Sequence, residues 1–218
     1  MARQKSECAH RKAIEAASAL FAERGIEATN MDAIARASGV SKATIYRHWP
    51  DKDALALEVL VYLHGLDKDL PVFDSGNFRD DLVAQLEYDP AADRKAVRER
   101  IMPHMIAYAS HNRVFGDAWR SRVITPVRAA LSEMMERGKQ RGILKPSLDL
   151  EVGLALLLGP LIYRNVVIHK HKLGSKAPKD LEAIVADSFL GAFGMQLKRG
   201  SNISSGTAPG GPSSRSGN

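Results

Sequence analysis

The sequence predicts an all-α fold in which a short N-terminal helical unit precedes a larger helical unit. Apolar residues recur at three- and four-residue spacing through most of the 218 residues, and no stretch shows the alternation of a half-buried strand. Glycine, proline and N-capping residues fall between these apolar runs, where helices are expected to begin and end. The predicted helices therefore follow one another from residue 3 to residue 197.

The first predicted helix runs from Arg3 to Arg24, and Gly25 is its stop signal. Its apolar residues share one face, which is expected to support the segment that follows. That face consists of Ala13, Ile14, Ala17, Leu20 and Phe21.

Two shorter helices joined by a tight turn are predicted between Asn30 and Lys52. Asn30 is a good N-cap because its side chain can accept a hydrogen bond from a free amide of the first turn. Gly39 ends the first of these helices, since glycine takes the left-handed conformation without a Cβ penalty. Ser41 caps the second helix, Pro50 stops it, and Asp51 can cap the next.

The spacing of these residues predicts a helix-turn-helix, whose second helix enters a DNA major groove. Ala35 is small enough for a close helix crossing, Gly39 suits the turn, and Ile45 provides a branched apolar contact. The residues off the apolar face of the second helix carry donors, a methyl group and one aromatic ring, which suits phosphates and base edges. They are Lys42, Ala43, Thr44, Tyr46, Arg47 and His48.

The run A-T-N-M-D-A-I-A-R-A-S-G-V-S-K-A-T-I-Y-R-H-W-P-D-K-D-A-L resembles the N-terminal domain of the TetR family of bacterial transcriptional regulators. The resemblance implies that Thr44, Tyr46 and Lys52 contact phosphates. It also implies that Lys42, Arg47 and His48 contact phosphates or bases, and it leaves the division between the two open. Ala43 stands where the family often has glycine, and Trp49 where it often has phenylalanine.

Bulk composition is compatible with a polyanionic partner, because the formal net charge is +6. Cys8 is the only cysteine, so an intrachain disulfide is excluded and a reducing compartment fits. The N-terminus lacks the apolar core of a signal peptide, and the most apolar run, Val152 to Tyr163, is too short for a membrane span. We therefore expect a soluble, cytoplasmic protein with no membrane partner.

Seven further helices are predicted after Pro50, beginning with one from Asp53 to about Leu66. The stretch from Asp67 to Asp93 is acidic, so this part of the chain is expected to face away from DNA. Three units are predicted: a helix-turn-helix DNA-binding domain over residues 1–52, a helical effector-binding and dimerisation domain over residues 53–199, and a disordered tail over residues 200–218.

Two C-terminal helices are more apolar than one small helical body needs. Their residues either form ordinary core or pair with a second copy in a four-helix bundle, and we favour the homodimer. A two-fold dimer places two half-sites of a palindrome about 34–36 Å apart, and the resemblance implies the same assembly. The candidate interface residues are Leu154, Leu158, Leu161, Ile184, Phe189 and Phe193.

A small-molecule effector site is predicted between the N-terminal unit and the dimer helices. The resemblance implies a small molecule that spreads the two DNA-binding units and lowers DNA affinity. Methionine and aromatic side chains would supply an adaptable apolar lining, and the alternative is that most of these residues are simply core. The candidates are Met102, His104, Met105, Tyr108, Phe115, Trp119 and Tyr163.

No catalytic motif is present, and we predict neither an enzyme nor a bound cofactor or metal. Adjacent lysines disfavour a cation at His169-Lys170-His171, which is interpreted as a solvated helix end. The leading hypothesis is a ligand-responsive repressor that binds double-stranded DNA. The alternatives are a non-specific architectural DNA-binding protein, whose affinity would depend steeply on salt, and, as a more distant possibility, a small-molecule enzyme.

Overall fold

A computed structural model describes residues 2–67, 70–168 and 180–195. Within these ranges the chain is helical and contains no β-strand, which confirms the predicted all-α class. The predicted disordered tail and the His169-Lys170-His171 segment lie outside the described residues. The helices are α1 (Ala2–Arg24), α2 (Met31–Ser38), α3 (Lys42–His48), α4 (Lys52–Leu63), α5 (Phe78–Glu87), α6 (Lys95–His111), α7 (Arg113–Trp119), α8 (Thr125–Gln140), α9 (Leu150–Ile162) and α10 (Leu181–Phe193).

The boundaries of α2, α3 and α4 are set by the capping residues that the sequence predicts. The Asn30 side chain accepts a hydrogen bond from the Ala33 amide at 2.8 Å, and Gly39 ends α2 with a φ of 66°. Ser41 Oγ accepts from the Thr44 amide at 3.2 Å. Asp51 caps α4 in the same way, through the Ala54 amide at 2.8 Å. The turn between α2 and α3 is therefore fixed by local hydrogen bonds.

One hydrophobic core joins the N-terminal helices to the middle of the chain. Phe21 of α1, Ile34 of α2 and Ile45 of α3 are fully buried in it, together with the inner face of α4. Ile101, Met105, Phe115 and Val123, from the segment that contains α6 and α7, belong to the same core. The predicted domain boundary between residues 52 and 53 thus falls inside α4, and this helix packs against both α1 and α6.

A second core holds α5, α8, α9 and α10 together. Leu82, Met134 and Leu157 are buried there. Leu154 and Phe189, predicted as surface for a second subunit, are also buried in this core within one chain. That assignment is corrected: both side chains hold α9 and α10 on the body and present little surface to a partner.

The outer faces of α9 and α10 remain apolar and exposed. Val152, Leu156 and Ile162 of α9 lie on the surface, as does Ile184 of α10. The chain continues through Pro160 and widens into a π-helical turn from Tyr163 to Ile168. Of the helices that the structure describes, none combines the length and the hydropathy that crossing a bilayer requires.

Candidate nucleic-acid interface and internal cavity

The outward face of α3 presents the side chains that suit a nucleic acid. Lys42, Ala43 and Arg47 are exposed, and half of the Tyr46 surface is accessible, at 50%. Thr44 is partly buried, and its Oγ1 lies 2.9 Å from the Ser41 hydroxyl. Ile45 is fully buried on the opposite face and anchors the helix in the first core. A rigid support therefore carries a basic face with one aromatic ring and a methyl group.

Lys42 pairs with a carboxylate of the preceding helix. Its Nζ lies 2.6 Å from Asp32 Oδ2, and both side chains are substantially exposed. An exposed ion pair of this kind contributes little to stability, so exchange of Asp32 for a phosphate costs little. The ammonium group is consequently available to an anionic ligand.

Lys52 is more tightly held, at the first residue of α4. Its Nζ donates to the Glu27 carbonyl oxygen at 3.1 Å and lies 5.9 Å from the centroid of the Tyr108 ring. An ammonium group has three donors, so two remain after this bond. The carbonyl thus orients Lys52 without using up its capacity to bind a phosphate.

His48 is placed differently from the other predicted contacts of α3. Its ring centroid is 5.3 Å from that of His10 and 5.4 Å from that of Trp49, and it is only partly exposed. Burial lowers the pKa of His48, and the positive charges of His10 and Arg47 lower it further. The imidazole is therefore predominantly neutral at pH 7, and it packs against the rings of His10 and Trp49.

Glu58 of α4 connects the end of α3 to α1. One carboxylate oxygen accepts a hydrogen bond from the buried Trp49 indole N–H, and the other lies 2.8 Å from His10 Nε2. The His10 ring also stacks on Trp49, with centroids 4.8 Å apart. No sequence pattern links these residues, so the prediction from sequence missed Glu58 and His10.

A second polar group ties the start of α4 to the end of α6. The Tyr108 hydroxyl donates to Asp53 Oδ1 at 2.7 Å, and Asn112 Nδ2 donates to Asp53 Oδ2 at 2.9 Å. Asn112 also caps α7 by accepting from the Phe115 amide at 3.0 Å. Asp53, the residue after Lys52, is therefore held in place by Tyr108 and Asn112.

A cavity of about 300 Å³ lies between the C-terminal end of α4 and the second core. Its wall combines leucines from several helices with polar and charged side chains. The polar and charged residues are His64, Gln85, Glu87, Asp89, Lys95, Arg98, Asn165 and Glu182. Leu158 and Leu161, predicted as dimer contacts, are half-buried and line this cavity. None of the residues predicted to line an effector site lines this cavity, so the predicted set and this cavity are two separate candidates for an effector site.

Four of the predicted effector residues, Met105, Tyr108, Phe115 and Trp119, lie in or against the first core, and the other three lie outside it. Met105 and Phe115 are fully buried in the first core, whereas Tyr163 is 58% exposed. His104 is partly buried beside Gly25, and Met102 is partly buried on the same helix. The Trp119 indole N–H is buried without a hydrogen-bond partner among the described residues. Helical spacing identified the apolar face of α6 but could not distinguish core from cavity lining.

Two family descriptions match this chain. Residues 13–59 match the bacterial regulatory proteins of the tetR family, and residues 72–185 match the tetracyclin repressor-like C-terminal domain. The first match contains the capped helices α2 and α3. The second contains α5 to α9, which supply much of the cavity wall and of the second core.

Individual relatives agree with these matches. The chain is 30% identical over 165 residues to the uncharacterized HTH-type transcriptional regulator YdeS of Bacillus subtilis, covering 76% of this chain and 82% of YdeS. It is 29% identical over 119 residues to the DNA-binding transcriptional repressor TetR of Mycobacteroides abscessus, covering 53% of this chain and 62% of that protein. The crystal structure of a TetR family regulator from Marinobacter aquaeolei superposes with a TM-score of 0.63 at 21% identity, covering 88% of this chain and 98% of the other. The chain therefore belongs to the TetR family and is a DNA-binding transcriptional regulator of the repressor type.

Proposed function

We propose that this regulator is a ligand-responsive repressor that binds a palindromic operator as a homodimer and is released by a small apolar effector. Residues 1–52 contact DNA, and residues 53–199 hold the effector and dimerisation functions. The observation that carries the proposal is the exposed, carboxylate-free face of α3 on a helix whose other face is locked into the core. The proposal assigns the protein no enzymatic activity, cofactor or metal.

In the proposed complex, α3 lies in the major groove. Tyr46, Thr44 and Lys52 contact phosphates, and the neighbouring backbone is held by the Ser41 cap. Arg47 is exposed near the end of α3 and is the side chain with the greatest capacity for base reading, because its guanidinium can donate two hydrogen bonds to a guanine. Lys42 and His48 contribute phosphate or base contacts beside it.

The exposed apolar faces of α9 and α10 support the proposed homodimer. Leu156 and Ile184 are each 47% exposed, although both are large and apolar. A second copy of the same faces would cover them in a four-helix bundle with two-fold symmetry. Two copies of α3 could then contact half-sites about 34–36 Å apart, as a palindrome requires.

The position of the cavity supports an effector that acts through α4. His64 lines the cavity at the C-terminal end of this helix, while Lys52 lies at its N-terminal end, about 18 Å away at the rise of an α-helix. An effector that favours a different position of α4 would also move Lys52 relative to DNA. It must bind the released state more tightly than the DNA-bound state, since the coupling is reciprocal.

Selection of bound duplexes from a random pool, followed by footprinting and anisotropy titration at fixed salt, tests the DNA-binding proposal. We expect a palindrome, and we expect Tyr46→Ala or Lys52→Ala to weaken binding to selected and random DNA alike, by about 1–3 kcal/mol. Arg47→Ala should instead relax the sequence preference. Lys145→Ala is the matched control for Lys52, because Lys145 Nζ also donates to a backbone carbonyl, that of Ala192 at 2.8 Å, but on the body.

Two outcomes would contradict this proposal. Equal affinity for selected and random duplexes, with a steep dependence on salt, would favour an architectural DNA-binding protein. If Lys145→Ala weakened binding as much as Lys52→Ala, the effect would reflect the loss of positive charge in general rather than a contact at the start of α4.

A further inference from the structure

We propose that the cavity binds an uncharged apolar ring compound that carries a hydrogen-bond donor, such as a phenolic hydroxyl, and that His64 Nε2 accepts this hydrogen bond. The inference rests on the proposed function, because it names the chemical class of the effector. It depends on three features of the cavity wall: the tautomer of His64, the pairing of Arg98, and the leucines that form most of its apolar part.

The hydrogen bonding of His64, a residue of the cavity wall, fixes which of its ring nitrogens is left as an acceptor. His64 Nδ1 lies 2.8 Å from the Leu60 carbonyl oxygen. A carbonyl only accepts, so Nδ1 carries the hydrogen and the neutral ring leaves Nε2 as a lone-pair acceptor. Burial lowers the pKa of His64, with a smaller contribution from the positive charge of Arg98, which keeps the ring neutral at pH 7. No other described residue hydrogen-bonds to Nε2.

The Arg98 guanidinium in the cavity wall already donates hydrogen bonds to groups of the protein. Arg98 Nη1 donates to the Leu63 carbonyl oxygen at 2.8 Å and to Asp89 Oδ1 at 3.0 Å, and Nη2 donates to Asp89 Oδ2. An anionic ligand would have to displace Asp89, whose carboxylate is held by two guanidinium nitrogens. Lys95 lines the cavity but is exposed, and its charge also acts on Asp89. The wall therefore does not favour a carboxylate ligand.

Glu182 supplies a second acceptor on another side of the cavity. It lies in the first turn of α10, is partly buried, and has no hydrogen bond or ion pair among the described residues. Its negative charge disfavours an anion, and the positive charge of Arg98 near His64 disfavours a cation at the imidazole. An uncharged ligand that donates one hydrogen bond to His64 incurs neither penalty.

Leucines form most of the apolar part of the wall, and the polar residues Gln85, Glu87, Tyr88 and Asn165 also line the cavity. These leucines include Leu86 of α5, Leu131 of α8, and Leu158 and Leu161 of α9. The volume of about 300 Å³ is near the lower limit of small-molecule sites. A compound of two fused or linked rings therefore suits this space better than a long chain or a multi-ring drug.

Isothermal titration of the full chain, in the absence of DNA, with 2-naphthol and 2-methoxynaphthalene tests the inference. The two probes share one ring system, and methylation removes only the donor. We expect 2-naphthol to bind at least about fivefold more tightly, as one hydrogen bond to a buried acceptor implies. His64→Phe should reduce this preference to less than about twofold, while His64→Gln, whose amide oxygen can accept, should retain part of it.

His111→Phe is the matched control, because His111 Nδ1 makes the same contact four residues back, to the Ala107 carbonyl at 2.9 Å, on an exposed turn. It should leave the preference unchanged, and circular dichroism melting curves establish that each variant is folded. Equal binding of the two probes, tighter binding of 2-naphthoate than of 2-naphthol, no binding of any probe, or an undiminished preference in folded His64→Phe would overturn the inference. These outcomes leave operator binding intact, whereas failure of the proposed DNA-binding function appears in the duplex titrations alone.

Discussion

At the scale of single residues, Glu58 determines how the end of α3 is oriented. Trp49 is almost fully buried, so its indole N–H needs a protein acceptor, and the Glu58 carboxylate provides one. The second oxygen of the same carboxylate pairs with His10, whose ring stacks on the indole. Glu58 thus fixes the position of Trp49, which directly follows the predicted DNA-contacting residues Arg47 and His48.

We expect Glu58→Leu to lower the free energy of unfolding by about 1–3 kcal/mol, because the Trp49 N–H is then buried without an acceptor. Glu58→Gln should cost less, since its amide oxygen can still accept. Urea denaturation followed by tryptophan fluorescence measures the change, and operator titration should show a parallel loss of affinity for Glu58→Leu. The control is Glu15→Leu, which removes an exposed ion pair with Arg11 and should change stability by less than about 1 kcal/mol. A folded Glu58→Leu protein with unchanged stability would show that the carboxylate does not anchor Trp49.

At the scale of elements, α4 is the helix that contacts both functional regions. Its first residues carry Lys52 and Asp53, and its last turn leads to His64 at the cavity. Tyr108 at the end of α6 holds Asp53 through its hydroxyl. Burial and this hydrogen bond raise the pKa of Tyr108, so the hydroxyl stays protonated at neutral pH and remains a donor.

Tyr108→Phe tests whether the body positions the N-terminal end of α4. We expect the free energy of unfolding to fall by about 1–3 kcal/mol, as for a hydrogen bond to a charged acceptor. Operator affinity should fall several-fold because Lys52, beside Asp53, is less well positioned. A double-mutant cycle with Asp53→Asn, measured by denaturation and by operator titration, isolates the pair, with an expected coupling of about 0.5–3 kcal/mol. Strictly additive effects would show that the two side chains act independently.

The elements that sequence reasoning predicted correctly are those fixed by neighbours along the chain. Asn30, Ser41 and Asp51 cap helices through amides three residues away, and Gly39 acts through its own φ. The cavity could not be predicted in this way, because its wall joins residues as distant as His64 and Glu182. The apolar stripe of α6 and the apolar faces of α9 and α10 were visible in the sequence. Whether each residue on them faced core, cavity or solvent depended on which helices pack together, which periodicity does not specify.

At the scale of the whole molecule, the second core separates two kinds of apolar residue on α9 and α10. Leu154, Leu157 and Phe189 are buried within the chain and are needed for its stability. Leu156 and Ile184 lie on the outer faces of the same helices and contribute little to that core. The proposed homodimer therefore rests on the outer residues, and its interface can be tested without disrupting the fold.

We expect Leu156→Glu combined with Ile184→Glu to convert the proposed dimer into a folded monomer, because burying two carboxylates opposite their symmetry mates is strongly unfavourable. Sedimentation velocity measures the assembly, and circular dichroism establishes that the helices are retained. Operator affinity should fall by at least about a hundredfold, since one α3 helix contacts a single half-site and loses the avidity of the pair. Val114→Glu is the control: Val114 is 81% exposed on α7, so a carboxylate there should leave both assembly and DNA binding unchanged. If the protein remains a dimer after the double substitution, the interface lies on another face. If the monomer binds the full palindrome as tightly as the unmodified protein, two-fold symmetry is not required for operator recognition.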